Sequence, residues 1–270
     1  MKFKKINLKS TKLRCNGYRK KILEISQKVP ALHIGGAFSS TEIVDCVYNH
    51  LMRKKNKKIF KDTFLMSKGH SCILQYVVLN YLGILSQKHL DSYCQPEGIL
   101  GAHPDYGTPG IEASTGSLGH GMGLAVGMCH ADKILNINRK VFMVLSDGEL
   151  QEGSTWENMM MAANLNTQNL ICFLDHNGSQ SFGMTKKTHP KFYPIFEKIK
   201  SFGWDCHEID GHDTQSIINT YQKLKFKKPT MIICNTIKGK NVSYMENEPI
   251  WHYRSPNEKE YKQALEELNV

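Results

Sequence analysis

The chain has 270 residues, 40% of them hydrophobic and 22% charged, enough apolar content to build a substantial buried core. Its net charge is +10, with lysine and arginine crowded toward the front in runs such as RKK and MRKKNKK. No RNP, KH or zinc-finger signature accompanies that charge and no aromatics are interleaved with it, which sets nucleic-acid binding aside in favour of solvated helical faces and the steering of anionic ligands.

The lysine-rich start, MKFKKINLKSTKLR, is not followed by an apolar signal core, and no stretch approaches the roughly 18 to 20 apolar residues of a membrane span. A soluble, cytoplasmic protein without a membrane partner is expected. The eight cysteines are scattered singly, without a C-x-x-C pair or zinc-finger spacing, and read as reduced, mostly buried thiols.

Leu13, Ile22, Leu23 and Ile25 lie among charges in a predicted helix over 12–28, and LHIGGAFS follows as a glycine-containing loop. Ser39, Ser40 and Thr41 open a second helix, TEIVDCVYNHLM, with Glu42 in its first turn. FLMS (64–67) is a short strand that turns through KGH into an apolar helix from Ser71 to about Leu85. A long segment rich in glycine, proline and histidine, GILGAHPDYGTPGIEASTGSLGHGMG (98–123), reads as a functional loop leading into a helix through AVGMCHADKIL.

Beyond it, VFMVLS (141–146), LICFLD (170–175) and TMIICNTI (230–237) are unbroken apolar runs with helical segments between them. WDCHEID (204–210) adds a further strand before a helix over about 213–225. Such runs are buried on both faces, so the expected fold is α/β, a parallel sheet with helices on both faces, with ligands gathering where the strands end. The expected organisation is one domain over 1–270, with a basic helical arm over about 1–30 and a C-terminal tail over about 240–270.

The most specific chemistry lies in SDGELQEGSTWENMMMAANLNTQNLICFLDHNGSQSFG. One apolar strand ends in Ser146-Asp147-Gly148 and the next in Asp175-His176-Asn177, so a carboxylate and an amide oxygen meet at the carboxyl ends of parallel strands. A hard cation such as magnesium or calcium prefers oxygen ligands and leaves positions for phosphate oxygens and water. Gly148 lets the backbone approach a diphosphate closely, and the helix that follows presents free N–H groups.

These residues resemble the metal motif of thiamine-diphosphate enzymes, which begins Gly-Asp-Gly and ends in an asparagine about thirty residues later; Ser146 stands here for the first glycine. The resemblance implies Asp147 and Asn177 as side-chain ligands of Mg2+ (or Ca2+ or Mn2+), Ser179 as a ligand through its carbonyl, and Gly148 and Asn177 beside the diphosphate. Four further motifs resemble transketolase: His33 in LHIGGAFSS, His70 in SKGH, His103 in GAHPDYGTPGIEASTGSLGHG and His252 in KGKNVSYMENEPIWH. In that family the matching histidines line the channel to the thiazolium ring. By resemblance His33, His103 and His252 act on the sugar and His70 on the cofactor, imidazole being suited to proton exchange near neutral pH. Tyr253-Arg254 follows His252 where many relatives carry a glycine.

Gly116 and Leu118 match positions packed against the cofactor rings. Glu152 and Glu157 resemble the family's acids beside the cofactor, and also suit plain helix-start charges. The family's pyrimidine-binding domain normally follows this one, and no second set of strands remains before Val270. The resemblance therefore implies the N-terminal subunit of a split transketolase, transferring a two-carbon ketol group between sugar phosphates. It is expected to need a separate C-terminal subunit in an α2β2 assembly. Two alternatives stay open: a related thiamine-diphosphate enzyme such as deoxyxylulose-phosphate synthase, with another sugar or a 2-oxo acid as substrate, and a non-catalytic scaffold subunit.

Overall fold

Side chains alternate between two cores along each central strand of a five-stranded sheet. Phe142, Val144, Ile171, Phe173 and Ile232 point into one apolar cluster, while Val141, Met143, Leu145, Leu170, Cys172, Leu174 and Met231 point into another. Each such side chain contributes about 1.5 to 3 kcal/mol when fully buried, which is why these strands carry no polar face. The computed structural model describes residues 7–269 except 57 and 182.

In chain order the strands are β1 (Thr63–Met66), β2 (Val141–Ser146), β3 (Leu170–His176), the short β4 (Ser179–Gln180) and β5 (Gly183–Met184), then β6 (Asp205–Asp210) and β7 (Thr230–Asn235). The main sheet runs β1-β2-β3-β7-β6 with every neighbouring pair parallel, and β4 and β5 form a small antiparallel pair of their own. The helices are α1 (Leu8–Ser26), α2 (Ile34–Ser39), α3 (Thr41–Cys46), α4 (Cys72–Tyr81), α5 (Gln87–Asp91), α6 (His120–Ile134), α7 (Gly153–Asn164), α8 (Thr185–Thr188), α9 (Ile195–Ser201), α10 (Thr214–Lys223) and α11 (Glu258–Glu267). α1 to α4 and α10 cover the first face, and α6, α7 and α9 the second. The α/β fold expected from the apolar runs is the one observed.

Two local expectations change. LHIGGAFS is not a loop: Ile34–Ser39 is the buried helix α2. A Cβ on Gly35 would lie 2.8 Å from the Trp251 carbonyl and one on Gly36 2.8 Å from Ser71 Oγ, so these glycines permit close packing of a helix and do not make a turn. α6 also begins earlier than the apolar run, at His120, directly after Gly119 in the left-handed conformation.

α1 is tied into the fold: Tyr18, Ile22 and Leu23 are buried, and Asn16 Nδ2 donates to the Leu268 carbonyl over 3.2 Å. The stretches expected as an arm and a tail therefore meet each other at the core, with residues 1–6 and 270 of them lying outside the described residues. Among the described residues no helix is long and apolar enough to cross a membrane.

Candidate active site

Because the strands are parallel, the residues just past β1, β2, β3 and β7 share one edge of the sheet and form the floor of a cleft of about 350 Å³. At the end of β2, the Glu149 carboxylate accepts from the Ser146 amide over 3.0 Å and from Ser67 Oγ over 2.5 Å, starting a short helical turn over Asp147–Gln151. Asp147 is 1% exposed, and its two oxygens accept from the amides of Gly148, at 2.9 Å, and Gly178, at 2.7 Å. Asn177 Oδ1 accepts from the Ser179 amide at 3.0 Å, while its Nδ2 donates to Asp175 Oδ2 at 3.1 Å.

Lys68 and Asp175 neutralise each other beneath this floor over 2.6 Å, both fully buried, with Lys68 also donating to the Gly36 carbonyl. Burial opposes the Asp175 charge, but Lys68, Ser39 and Thr236 outweigh it and hold the carboxyl below its usual range. Lys238 is different. Its described contacts are His252 Nδ1 at 3.1 Å and Ser179 Oγ at 3.5 Å, and burial pulls its ammonium down to about 8. Asp147 and Asp175 support that charge from nearby, yet neither bonds the ammonium among its described contacts, and Lys238 presents a cation to the cleft.

Histidines from four separate segments converge on that space. Ring centroids lie 5.2 Å apart for His33 and His70, 5.3 Å for His33 and His252, and 5.5 Å for His70 and His252. His103 joins at 6.4 Å from His33. Burial first, then the neighbouring cations and imidazoles, lowers His33 and His252 to about 4 and pushes His70 well down. These three rings are neutral at pH 7 and available as donors and acceptors to hydroxyl groups.

His33, His70, His252, Gly116, Leu118, Asp147, Gly148, Glu152, Asn177 and Ser179 all line this one cleft. His103 stands at its edge against Gly116, whose φ of +144° and lack of a side chain make room for the ring: a Cβ there would meet His103 Cδ2 at 2.5 Å. Glu157 is exposed on α7 and does not line the cleft. Sequence reasoning missed Lys68, Glu149, Asp175 and Lys238. The signals were present: the lysines lie in the motifs SKGH and KGKNVSYMENEPIWH that carry His70 and His252, and Ser146 and Glu149 have capping-box spacing.

The floor suits a hard divalent cation. Burial, reinforced by Asp175, raises Asp147 to about 6, the mark of a carboxylate whose described partners, two amides, leave its charge under-compensated. Among the described residues no group of three His, Cys, Asp or Glu is placed to hold a metal. One carboxylate, one amide oxygen and the Ser179 carbonyl are hard oxygen donors too few to complete a shell. They fit Mg2+ sharing its remaining positions with phosphate oxygens and water.

Residues 11–269 match the family described as Transketolase, thiamine diphosphate binding domain. The chain belongs to this family. The transketolase-family relatives include an apulose-4-phosphate transketolase subunit of Phocaeicola vulgatus, 35% identical over 98% of this chain and 95% of its own length. Another is a 6-deoxy-6-sulfo-D-fructose transketolase subunit of a Clostridium species, 35% identical over 94% of each. The solved transketolase of Campylobacter jejuni superposes with a TM-score of 0.90 at 27% identity, covering 98% of this chain and 43% of that one. This transketolase-family chain thus spans nearly the whole of the separate subunits and less than half of the solved transketolase.

Proposed function

We propose that this chain is the diphosphate-binding subunit of a transketolase, transferring a two-carbon ketol group from a ketose phosphate to an aldose acceptor with thiamine diphosphate and Mg2+. The observation that carries the reading is the convergence of His33, His70 and His252 on one cleft whose floor is Asp147 and Asn177. Asp147 and Asn177, with the Ser179 carbonyl, would hold the cation, while Gly148, His70 and Lys238 border the diphosphate. Gly116 and Leu118 would pack against the rings and Glu152 beside them. When bound, thiamine diphosphate supplies the carbanion chemistry that breaks and makes the sugar's carbon-carbon bond. The neutral imidazoles of His33 and His252, with His103 at the edge, orient the sugar hydroxyls and carry protons to and from them.

A separate pyrimidine-domain partner, in an α2β2 assembly, is supported by relatives whose names describe them as transketolase subunits and which match over almost their full length. The names of those relatives point to sugars bearing an anionic group, in line with the +10 charge of this chain. A cytoplasmic site of action accords with eight cysteines that are all free.

The test mixes the purified chain with a pyrimidine-domain subunit from the same genome, thiamine diphosphate and Mg2+, and follows ketol transfer from a panel of ketose phosphates. Transfer by the mixture and by neither component alone is expected. Transfer by this chain alone would sink the two-subunit reading, and a mixture that binds the cofactor yet transfers nothing would sink the ketol chemistry.

A further inference from the structure

The segment 253–256 runs beside 27–32 and is pinned to it. The Arg254 amide donates to the Leu32 carbonyl at 3.2 Å, Ser255 Oγ to the Val29 carbonyl at 3.3 Å, and Gln27 Nε2 to the Pro256 carbonyl at 3.0 Å. Tyr253 is clamped on both flanks within it. On one side the buried Trp251 donates its indole N–H to the Tyr244 carbonyl at 2.9 Å. On the other, Arg254 pairs with both oxygens of Glu260 at 2.7 Å and lies 4.3 Å from the centre of the Trp251 ring. Between these anchors Tyr253 is itself 58% exposed, with its ring centroid 4.5 Å from that of His33 at a 36° tilt.

His33 in turn touches His70 and His252, which makes Tyr253 the outer member of a row of rings leading from solvent into the cleft. A tyrosine in that position offers a large amphipathic face with only two side-chain torsions to order, and a hydroxyl that both donates and accepts. Arg254, the adjacent cation, is committed to Glu260, so the wall presents a ring and a hydroxyl where a phosphate would need a free charge. The ligand portion that matches such a wall is a polyhydroxylated carbon chain, apolar along its C–H bonds and polar at its hydroxyls.

We propose that Tyr253 is a specificity-determining residue, forming the wall against which the sugar lies beyond the two carbons that are transferred. The inference rests on the transketolase reading above. It is tested on the assembled enzyme, loaded with thiamine diphosphate and Mg2+, using the ketose phosphate that the wild type turns over best. In Tyr253→Ala the KM for that sugar should rise roughly three- to ten-fold with kcat and cofactor affinity kept within about twofold, because a contact made equally in the ground and transition states is lost. Tyr253→Phe, which keeps the ring and loses the hydroxyl, should raise KM less than Tyr253→Ala does, to a value between that variant and wild type.

An unchanged KM in Tyr253→Ala overturns the assignment while leaving the transketolase reading intact. A parallel loss of cofactor affinity overturns it too, by showing that the residue shapes the cleft and does not meet the sugar. Absence of ketol transfer in the wild-type assembly removes both.

Discussion

The Gly178 amide donates to the Asp147 carboxylate over 2.7 Å, joining the turn after β3 to the carboxylate that ends β2. Gly178 sits at φ +66°, so the turn is shaped by a residue at ease in the left-handed region and fastened by a carboxylate of the cleft floor whose described bonds are to two backbone amides. The group best placed to hold a metal is thereby also the group that orders the loop carrying Asn177 and Ser179. Metal affinity and loop order should respond together to one substitution.

Asp147→Asn is the direct check. An amide has one acceptor oxygen where the carboxylate has two, so either the Gly148 or the Gly178 amide loses its bond and the proposed cation site loses its charged oxygen donor. In thermal unfolding of the assembled enzyme, wild type at a cofactor concentration of about 100 times Kd should gain about 2.7 kcal/mol when thiamine diphosphate and Mg2+ are added together. The gain should disappear when EDTA is present, and Asp147→Asn should show none. A full thermal shift in that variant would place the cation elsewhere.

The neutral histidine row sets an acid limb. The ordinary histidine value is 6.5, and burial holds His33 and His252 at about 4 and His70 well down. The unfolded chain therefore binds protons that the folded chain refuses. Stability is fully present above about 6.5 and falls as pH drops toward 4. Denaturation midpoints of the cofactor-free protein across that window should decline less steeply for the double variant His33→Gln, His252→Gln than for wild type. Identical slopes would show that the rings are solvated and the row does not exist in solution.

Gly116→Ala should act on His103 more than on overall stability. A methyl group there would press on the imidazole at 2.5 Å, in a backbone conformation that L side chains rarely adopt. The ring must leave the cleft edge or the loop must move, and Thr115, whose hydroxyl donates to the Met66 carbonyl over 2.6 Å, ties that loop to β1. Activity of the assembled enzyme should drop at least tenfold, a loss on the order expected for a reacting-site displacement of about an ångström. A melting temperature within a few degrees of wild type should accompany it. Wild-type turnover would show that His103 has no part in the chemistry.

How far the sequence alone reached follows the physics of each signal. Strands β2, β3 and β7 were legible because a sheet covered on both faces demands unbroken apolar runs, and the residues closing those runs were legible because parallel strands end together. Helix α2 was hidden: Gly35 and Gly36 weaken any helical pattern, and their reason, contact with Trp251 and Ser71, lies far along the chain. Lys238 was hidden in the same way, since a lysine in a basic sequence reads as solvated until its burial beside His252 and Ser179 is seen. Tyr253 stood out only as a departure from the family pattern, and its meaning needed the ring contact with His33.

A buried ionic chain behind the cleft gives the last test. Arg19 donates to both oxygens of Glu42, at 2.7 and 2.8 Å, and to the Phe38 carbonyl of α2 at 2.9 Å. His212 Nδ1 meets Glu42 at 2.9 Å, and because His212 Nε2 accepts from the Ile237 amide at 2.9 Å, it is Nδ1 that carries the proton donated to Glu42. One carboxylate thus links the helix that begins beside His33 to the turn that presents Lys238. Burial alone would push Glu42 up, but Arg19 and His212 outweigh it and bring the carboxyl down to about 2 from an ordinary 4.5. The stabilisation is therefore present above about 4.5 and lost as pH falls toward 2. Glu42→Gln strands the Arg19 guanidinium in the core and should cost roughly 3 to 5 kcal/mol at pH 7. The gap between wild type and variant should close as both are titrated from pH 4.5 toward 2, because the wild-type carboxylate is then neutral as well. Parallel acid-unfolding curves would mean that Glu42 carries no charge at neutral pH and that α2 and the Lys238 turn are held by packing alone.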